Sequence, residues 1–335
     1  MTLANFVMAF LGGALGAAIG GGTAFITFGL LGLIGLAAAA AGDGSFMNLI
    51  MGSLLVPSVA YVSGVCAVQY ARWRRVEIDR GDLSPLILLG RPDVLLVGGA
   101  FGILGFLVST LLTNLGVGNV SDALAMTVFI LCIVAKLLFA RESWIGKVSD
   151  EVKKTGGRFS PSAPGLFPFC KTGFQKLVVG ITVGGTSAFM TQIFLENPTL
   201  APFAVLPGFF FFAAILFLNV PPLFHVALVA SYAMLASGSD SIAWGIAGGV
   251  IAIFIGDFLA RVLFLHTTGM IDTIAGAIWL GALIVRGLFP LIGLYALPEY
   301  IGVGIIGIIF VAISIFDQVK LKKYSQVESA VKDAV

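Results

Sequence analysis

The chain has 335 residues, 59% hydrophobic and only 11% charged, with a net charge of +2 and a mean hydropathy of +1.06. Soluble domains carry about 25% charged residues, so there is too little polar surface here for a cytosolic enzyme, a nucleic-acid binder or a disordered chain. The composition is that of an all-α polytopic membrane protein.

Apolar segments bounded by charges, Gly or Pro fall at 3–19, 23–41, 49–71, 94–113, 122–139, 176–195, 200–219, 221–236, 241–264, 272–289 and 300–316. No alternating strand pattern interrupts them, and a helix satisfies its own backbone in lipid, so about eleven transmembrane helices are predicted. Met1-Thr2-Leu3-Ala4-Asn5 lacks the cationic region of a signal peptide, and the N-terminus is expected to be retained. Two parses of the first 41 residues are open: hydropathy breaks them at Gly20-Gly21-Gly22, whereas the internal repeat described below favours Gly32–Gly35.

All of the 19 Lys and Arg except Lys136, Arg261 and Arg286 fall in three segments: loop 72–93, loop 140–176 and the tail after 316. The positive-inside rule puts these segments in the cytoplasm of a plasma-membrane protein. The intervening numbers of spans are even, as a shared side requires, and the N-terminus is expected outside. Trp73 and Trp144 beside the cytoplasmic loops suit interfacial anchors. Cys66, Cys132 and Cys170 have no disulfide or metal-ligand spacing.

A shift of 150 residues aligns 97–139 with 247–289 and superposes Gly98, Gly99, Ile103, Leu115, Asp122, Ala125, Leu138 and Phe139 on identical residues, with Lys136 opposite Arg286. Upstream, Val56-Pro57 pairs with Val220-Pro221, and Gly21-Gly22-Thr23 with Gly184-Gly185-Thr186. Five spans per unit invert the second unit in the membrane, a recurrent design of secondary transporters. The expected organisation is a first repeat over 1–139, a cytoplasmic linker over 140–175, a second repeat over 176–289, an eleventh span within 290–316 and a cytoplasmic tail over 317–335.

Val56-Pro57-Ser58-Val59-Ala60-Tyr61, Ala67-Val68-Gln69-Tyr70-Ala71 and Asp93-Val94-Leu95-Leu96-Val97-Gly98-Gly99 resemble a family of uncharacterised, permease-like multi-pass proteins from Gram-positive bacteria. That family carries a Gly-Pro-His element and a Pro-followed His pair. Here Ser58 stands where the first His would be, and only His225 follows Pro221-Pro222. The resemblance implies an architecture and no particular activity.

Asp257 and Arg261 stand at i and i+4 on one helical face. Charges within a membrane helix face protein or a water cavity, so this pair is either a proton- or cation-coupling carboxylate tuned by Arg261 or a salt bridge that fixes helix depth. Pro57-Ser58 and Pro221-Pro222 interrupt helices at matched positions and free carbonyls for ions or polar solutes, unless the second is a turn between spans. Tyr61, Asn219 and His225 lie nearby, His225 as a proton relay or a packed side chain. Thr23, Thr186 and Gln192 are candidates to line a polar path. Asp122 and Asp272 precede apolar runs and suit helix N-caps. Arg286, on the outer side against the charge bias, is expected to pair with an acid or attract an anion. The Gly-x-x-x-Gly runs at 12–20, 180–184 and 245–249 suit close helix packing.

No nucleophile–base pair, phosphate-binding loop or Cys/His cluster suggests an enzyme, and no cofactor is implied. The leading reading is a secondary transporter that moves a small solute by alternating access at a site between Pro57/Ser58 and Pro221/His225. The alternatives are a channel and a non-transporting scaffold or subunit of a larger complex. The partners implied are the lipid bilayer, a small neutral or singly charged solute and a coupling ion, H⁺ or Na⁺, with a homo-oligomer left open and no nucleic acid.

Overall fold

The computed structural model describes residues 1–79, 81, 83–206, 208, 210–211, 222–238 and 241–332. Among these residues the fold is helical and contains no strand. The principal helices are α1 (Leu3–Ile19), α2 (Gly21–Ala40), α3 (Ala60–Trp73), α4 (Pro92–Asn114), α5 (Ala123–Ala135), α6 (Gly173–Glu196), α7 (Phe224–Ser237), α8 (Ile242–Leu263), α9 (Thr273–Ala282) and α10 (Glu299–Lys332). A wider π turn extends α5 to Ala140, and another extends α9, which runs on to Leu291. Seven helices are long and apolar enough to cross a membrane: α2, α4, extended α5, α6, α8, extended α9 and α10. The protein is therefore built as a helical membrane protein.

α1 and α7 are apolar but shorter than this length. The segment predicted at 49–71 is interrupted: a six-residue helix (Ser45–Ile50) leads into turns through 51–59, and only then does α3 begin. Half of the segment predicted at 200–219, including 212–219, lies outside the described residues. At the N-terminus the hydropathy parse is the one observed. Gly20 leaves the helical region with φ 85° and separates α1 from α2, whereas Gly32 and Gly35 lie inside α2.

Glycines set the packing. The Cβ that Gly13 lacks would strike the carbonyl of Gly98, and that of Gly102 the carbonyl of Ala9, so α1 and α4 lie backbone to backbone, antiparallel. In the second half, α6 and α8 meet the same way, with a Cβ on Gly184 only 3.0 Å from the Gly249 Cα. Small residues are what permit this approach in lipid. α3 fills the groove beside α1 and α4, and α7 the groove beside α6 and α8. α5 and α9 cross in the middle and join the halves, Ser121 Oγ donating to the Trp279 carbonyl at 2.7 Å.

α10, of 34 residues, is about 50 Å long and docks along α6 and α8. Its Asp317 accepts from the Gly173 N–H at the start of α6, at 3.0 Å.

The linker between α5 and α6 folds onto the end of α8. Arg158 donates to the carbonyls of Arg261 (3.0 Å) and Val262 (2.9 Å), two of the orphan acceptors at the α8 C-terminus. Glu142 accepts from the N–H and hydroxyl of Thr268, each at 2.8 Å, and from the Gly269 N–H. Lys136 lies 3.4 Å away. Burial opposes ionisation of Glu142, but these donors and Lys136 hold its carboxyl below the ordinary value. Elsewhere in the linker, burial pushes the Cys170 thiol up to about 12, against the pull of Lys176.

Candidate functional site

Two cavities lie between the halves. The first, about 160 Å³, is lined by Phe28, Pro57, Leu124, Val128, Leu228 and Ile278, with Asp122 and Tyr232 at the α5 N-terminal end. The second, about 260 Å³, is lined by Leu83, Leu166, Pro222, Phe264 and Met270, at the end where the cationic loop and the linker lie. Phe25, Tyr61, Phe224 and Asp272 border both. These four side chains form the wall between the cavities: the Phe25 ring sits 4.9 Å from Tyr61 and 4.6 Å from Phe224, centroid to centroid.

The wall is held by a hydrogen bond between the halves. Tyr61, the second residue of α3, donates to Asp272 Oδ2 at 2.6 Å. Asp272 also caps α9, its Oδ1 accepting from the N–H groups of Ile274 and Ala275, each at 2.9 Å. A second bond runs the other way. Tyr232 of α7 donates to Asp122 Oδ2 at 2.7 Å, and Asp122 caps α5 through the Ala125 N–H at 2.8 Å. Each aspartate is thus an N-cap, as expected, and also the acceptor of a phenol from the opposite half.

The other predicted residues are distributed as follows. Pro57 lines the first cavity and Pro222 the second. Ser58 is fully buried, its hydroxyl has no partner among the described residues, and its carbonyl abuts Gly105. His225 is fully buried between Phe167 and Phe224, its Nδ1 3.2 Å from the Pro222 carbonyl, and borders neither cavity. Asn219 and Pro221 lie outside the described residues. Arg286 donates to the carbonyls of Ser121 (2.9 Å) and Gly118 (2.6 Å) and lies over the Tyr232 ring at 4.9 Å.

Thr23 and Thr186 are exposed on the outside of the bundle, and the Thr186 hydroxyl turns back to its own helix at Thr182, 2.8 Å away. Gln192 is half-buried and borders neither cavity. The glycines matched across the repeat turn inward, Gly21 towards Tyr61 and Gly184 towards Gly249. A residue two positions on is about 200° round the helix, which puts both threonines on the far face.

Asp257 is buried away from both cavities. Its Oδ2 meets Lys176 Nζ at 2.6 Å and Arg261 Nε at 2.8 Å, and its Oδ1 accepts from the Leu166 N–H at 2.9 Å. Arg261 goes on to bind the Ser160 carbonyl at 2.8 Å. One carboxylate oxygen between two cations, with the other bonded to the linker backbone, ties the linker to α8 and α6. This is the geometry of a salt bridge that fixes the helix, with Lys176 as a partner not foreseen from spacing.

Among the described residues no three His, Cys, Asp or Glu side chains are placed to hold a metal ion. Residues 1–156 match the model of a family of unknown function, DUF7973. The match ends within the linker, after the first of the two halves. No curated protein and no solved structure matches the chain.

Proposed function

We propose that this protein is a secondary transporter that moves a small solute by alternating access between the two cavities. The observation that carries this reading is the wall of Phe25, Tyr61, Phe224 and Asp272, contributed by both halves and bordered by a cavity on each side. A carrier needs a barrier that one half can withdraw from the other, whereas a channel needs a continuous path.

The reading includes two inverted repeats of five spans, over 1–139 and 176–289, an eleventh span, an outer N-terminus and a cytoplasmic tail in a plasma membrane. The matched aspartates support it, since Asp122 and Asp272 both cap central helices and both accept a phenol from the other half. Tyr61 reaches Asp272 while Tyr232 reaches Asp122. Arg286 of extended α9 binds the chain just before α5, and Lys136 of extended α5 lies against Gly269, just before α9. Rocking of one half against the other would exchange these pairs. Coupling to H⁺ or Na⁺ would then fall to the Tyr–Asp pairs, because Asp257 is already neutralised by two cations.

The test is loss of solutes from proteoliposomes loaded with a mixture of small metabolites and followed by mass spectrometry. Saturable efflux of one class, slowed by Phe25→Trp at the wall, is the expected result. Equal loss from protein-free vesicles, or flux that never saturates, overturns the reading.

A further inference from the structure

The two cavities differ from an ordinary apolar pocket in the sign of their walls. Among the described lining residues there are two carboxylates, Asp122 and Asp272, and no Lys, Arg or His. Asp272 is buried, and among the described residues its hydrogen-bond partners are the Tyr61 phenol and two backbone N–H groups, with no ion pair. Those donors and the positive end of α9 offset part of the cost of burying a carboxylate's charge. A cation entering either cavity would meet this carboxylate in apolar surroundings, where their attraction is little screened.

Aromatic faces surround that charge. Phe25, Phe28, Tyr61 and Phe224 border the first cavity together with Asp272, and the remaining lining is almost wholly aliphatic. A bare metal ion requires several oxygen ligands, which these walls do not supply. A cation with an apolar body is suited to both features: its charge faces Asp272 and the ring faces, and its body fills the aliphatic remainder.

We infer that the site beside Asp272 binds a lipophilic organic monocation, of the size of a single-ring quaternary ammonium. This deepens the transporter reading by naming its substrate class. Because it is tested by binding without flux, the two stand or fall separately.

The probe is benzyltrimethylammonium, compared with neopentylbenzene, its neutral carbon isostere, by equilibrium titration of the full chain in nanodiscs. The cation should bind about ten-fold tighter or more than the isostere. Asp272→Asn keeps the oxygen that caps α9 and sets an amide N–H, able to donate to the phenol oxygen, where Oδ2 accepted from Tyr61; it removes the charge, so it should abolish that preference and leave neopentylbenzene binding unchanged. Asp257→Glu, outside the cavities, serves as the control that retains the preference. Equal binding of cation and isostere by the parent protein overturns the inference, as does a cation preference that survives Asp272→Asn. Binding of the cation without its uptake into proteoliposomes contradicts the transporter reading alone.

Discussion

Tyr61 donates its phenolic proton to Asp272 across 2.6 Å, joining α3 of one half to the first residue before α9 of the other. Tyr232 and Asp122 form the opposite bond at 2.7 Å. Both carboxylates cap central helices, so a local requirement of helix ends is used to fasten the two halves together beside the cavities.

Removing the phenol tests that fastening. Tyr61→Phe leaves Asp272 with backbone donors alone and should cost about 1.5–3 kcal/mol, the range for hydrogen bonds to charged groups. Tyr70→Phe removes a longer bond of 3.1 Å to the more exposed Asp93 and should cost less than about 1 kcal/mol. Thermal unfolding of the two variants in nanodiscs gives the comparison, and equal melting temperatures would contradict it.

The charge cluster on α8 yields a different expectation from the one spacing suggests. Asp257→Asn removes the carboxylate that ion-pairs with Lys176 and Arg261, both buried. Breaking a buried pair from one side typically costs about 3–5 kcal/mol. Poor recovery of folded protein is expected, measured by size-exclusion profile and melting temperature. Normal stability with loss of ion-dependent uptake would instead make Asp257 the coupling residue.

Glycine positions separate contact from open space. Gly184→Leu forces α6 from α8 where the Gly249 backbone is in contact, and overpacking of this kind costs about 1–3 kcal/mol. Gly304 in α10 has nothing near its missing Cβ, and Gly304→Ala should be neutral or stabilising by up to about 1 kcal/mol. Melting temperatures of the two variants should therefore move in opposite directions or differ clearly in size.

Glu142 contributes a pH dependence whose sign follows from its lowered folded value. An unfolded glutamate titrates near pH 4.3. The stabilisation is complete above that pH and is lost as pH falls through the lower folded value. Melting temperature should decline below about pH 4.3, and Glu142→Gln should flatten that part of the profile. An unchanged profile in the variant would show that the staple to Thr268 and Gly269 adds nothing.

Much of the helical plan was legible from hydropathy. The segments expected at 94–113, 122–139 and 241–264 correspond to Pro92–Asn114, Ala123–Ala140 and Ile242–Leu263, because lipid demands long apolar runs whatever they pack against. Hydropathy cannot see a backbone that leaves the helix, so the turns at 51–59 were visible only as Pro57. The 150-residue register placed Asp122 opposite Asp272 and identified their capping roles, but not their phenol partners. Tyr232 lies seven positions beyond His225, the residue that the upstream register sets opposite Tyr61, so no alignment of the halves pairs the two tyrosines. Lys176, far from Asp257 in sequence, joined its cluster only through tertiary packing.

Alternating access requires that the wall of Phe25, Tyr61, Phe224 and Asp272 separate a cavity open to one side of the membrane from a cavity open to the other. Cysteine placed at Leu124 in the first cavity and at Met270 in the second gives the direct measurement, since native Cys66, Cys132 and Cys170 are buried. With a membrane-impermeant maleimide applied to sealed vesicles of known orientation, Leu124→Cys should label from outside and Met270→Cys from the cytoplasmic face. Labelling of both from the same face would contradict the account.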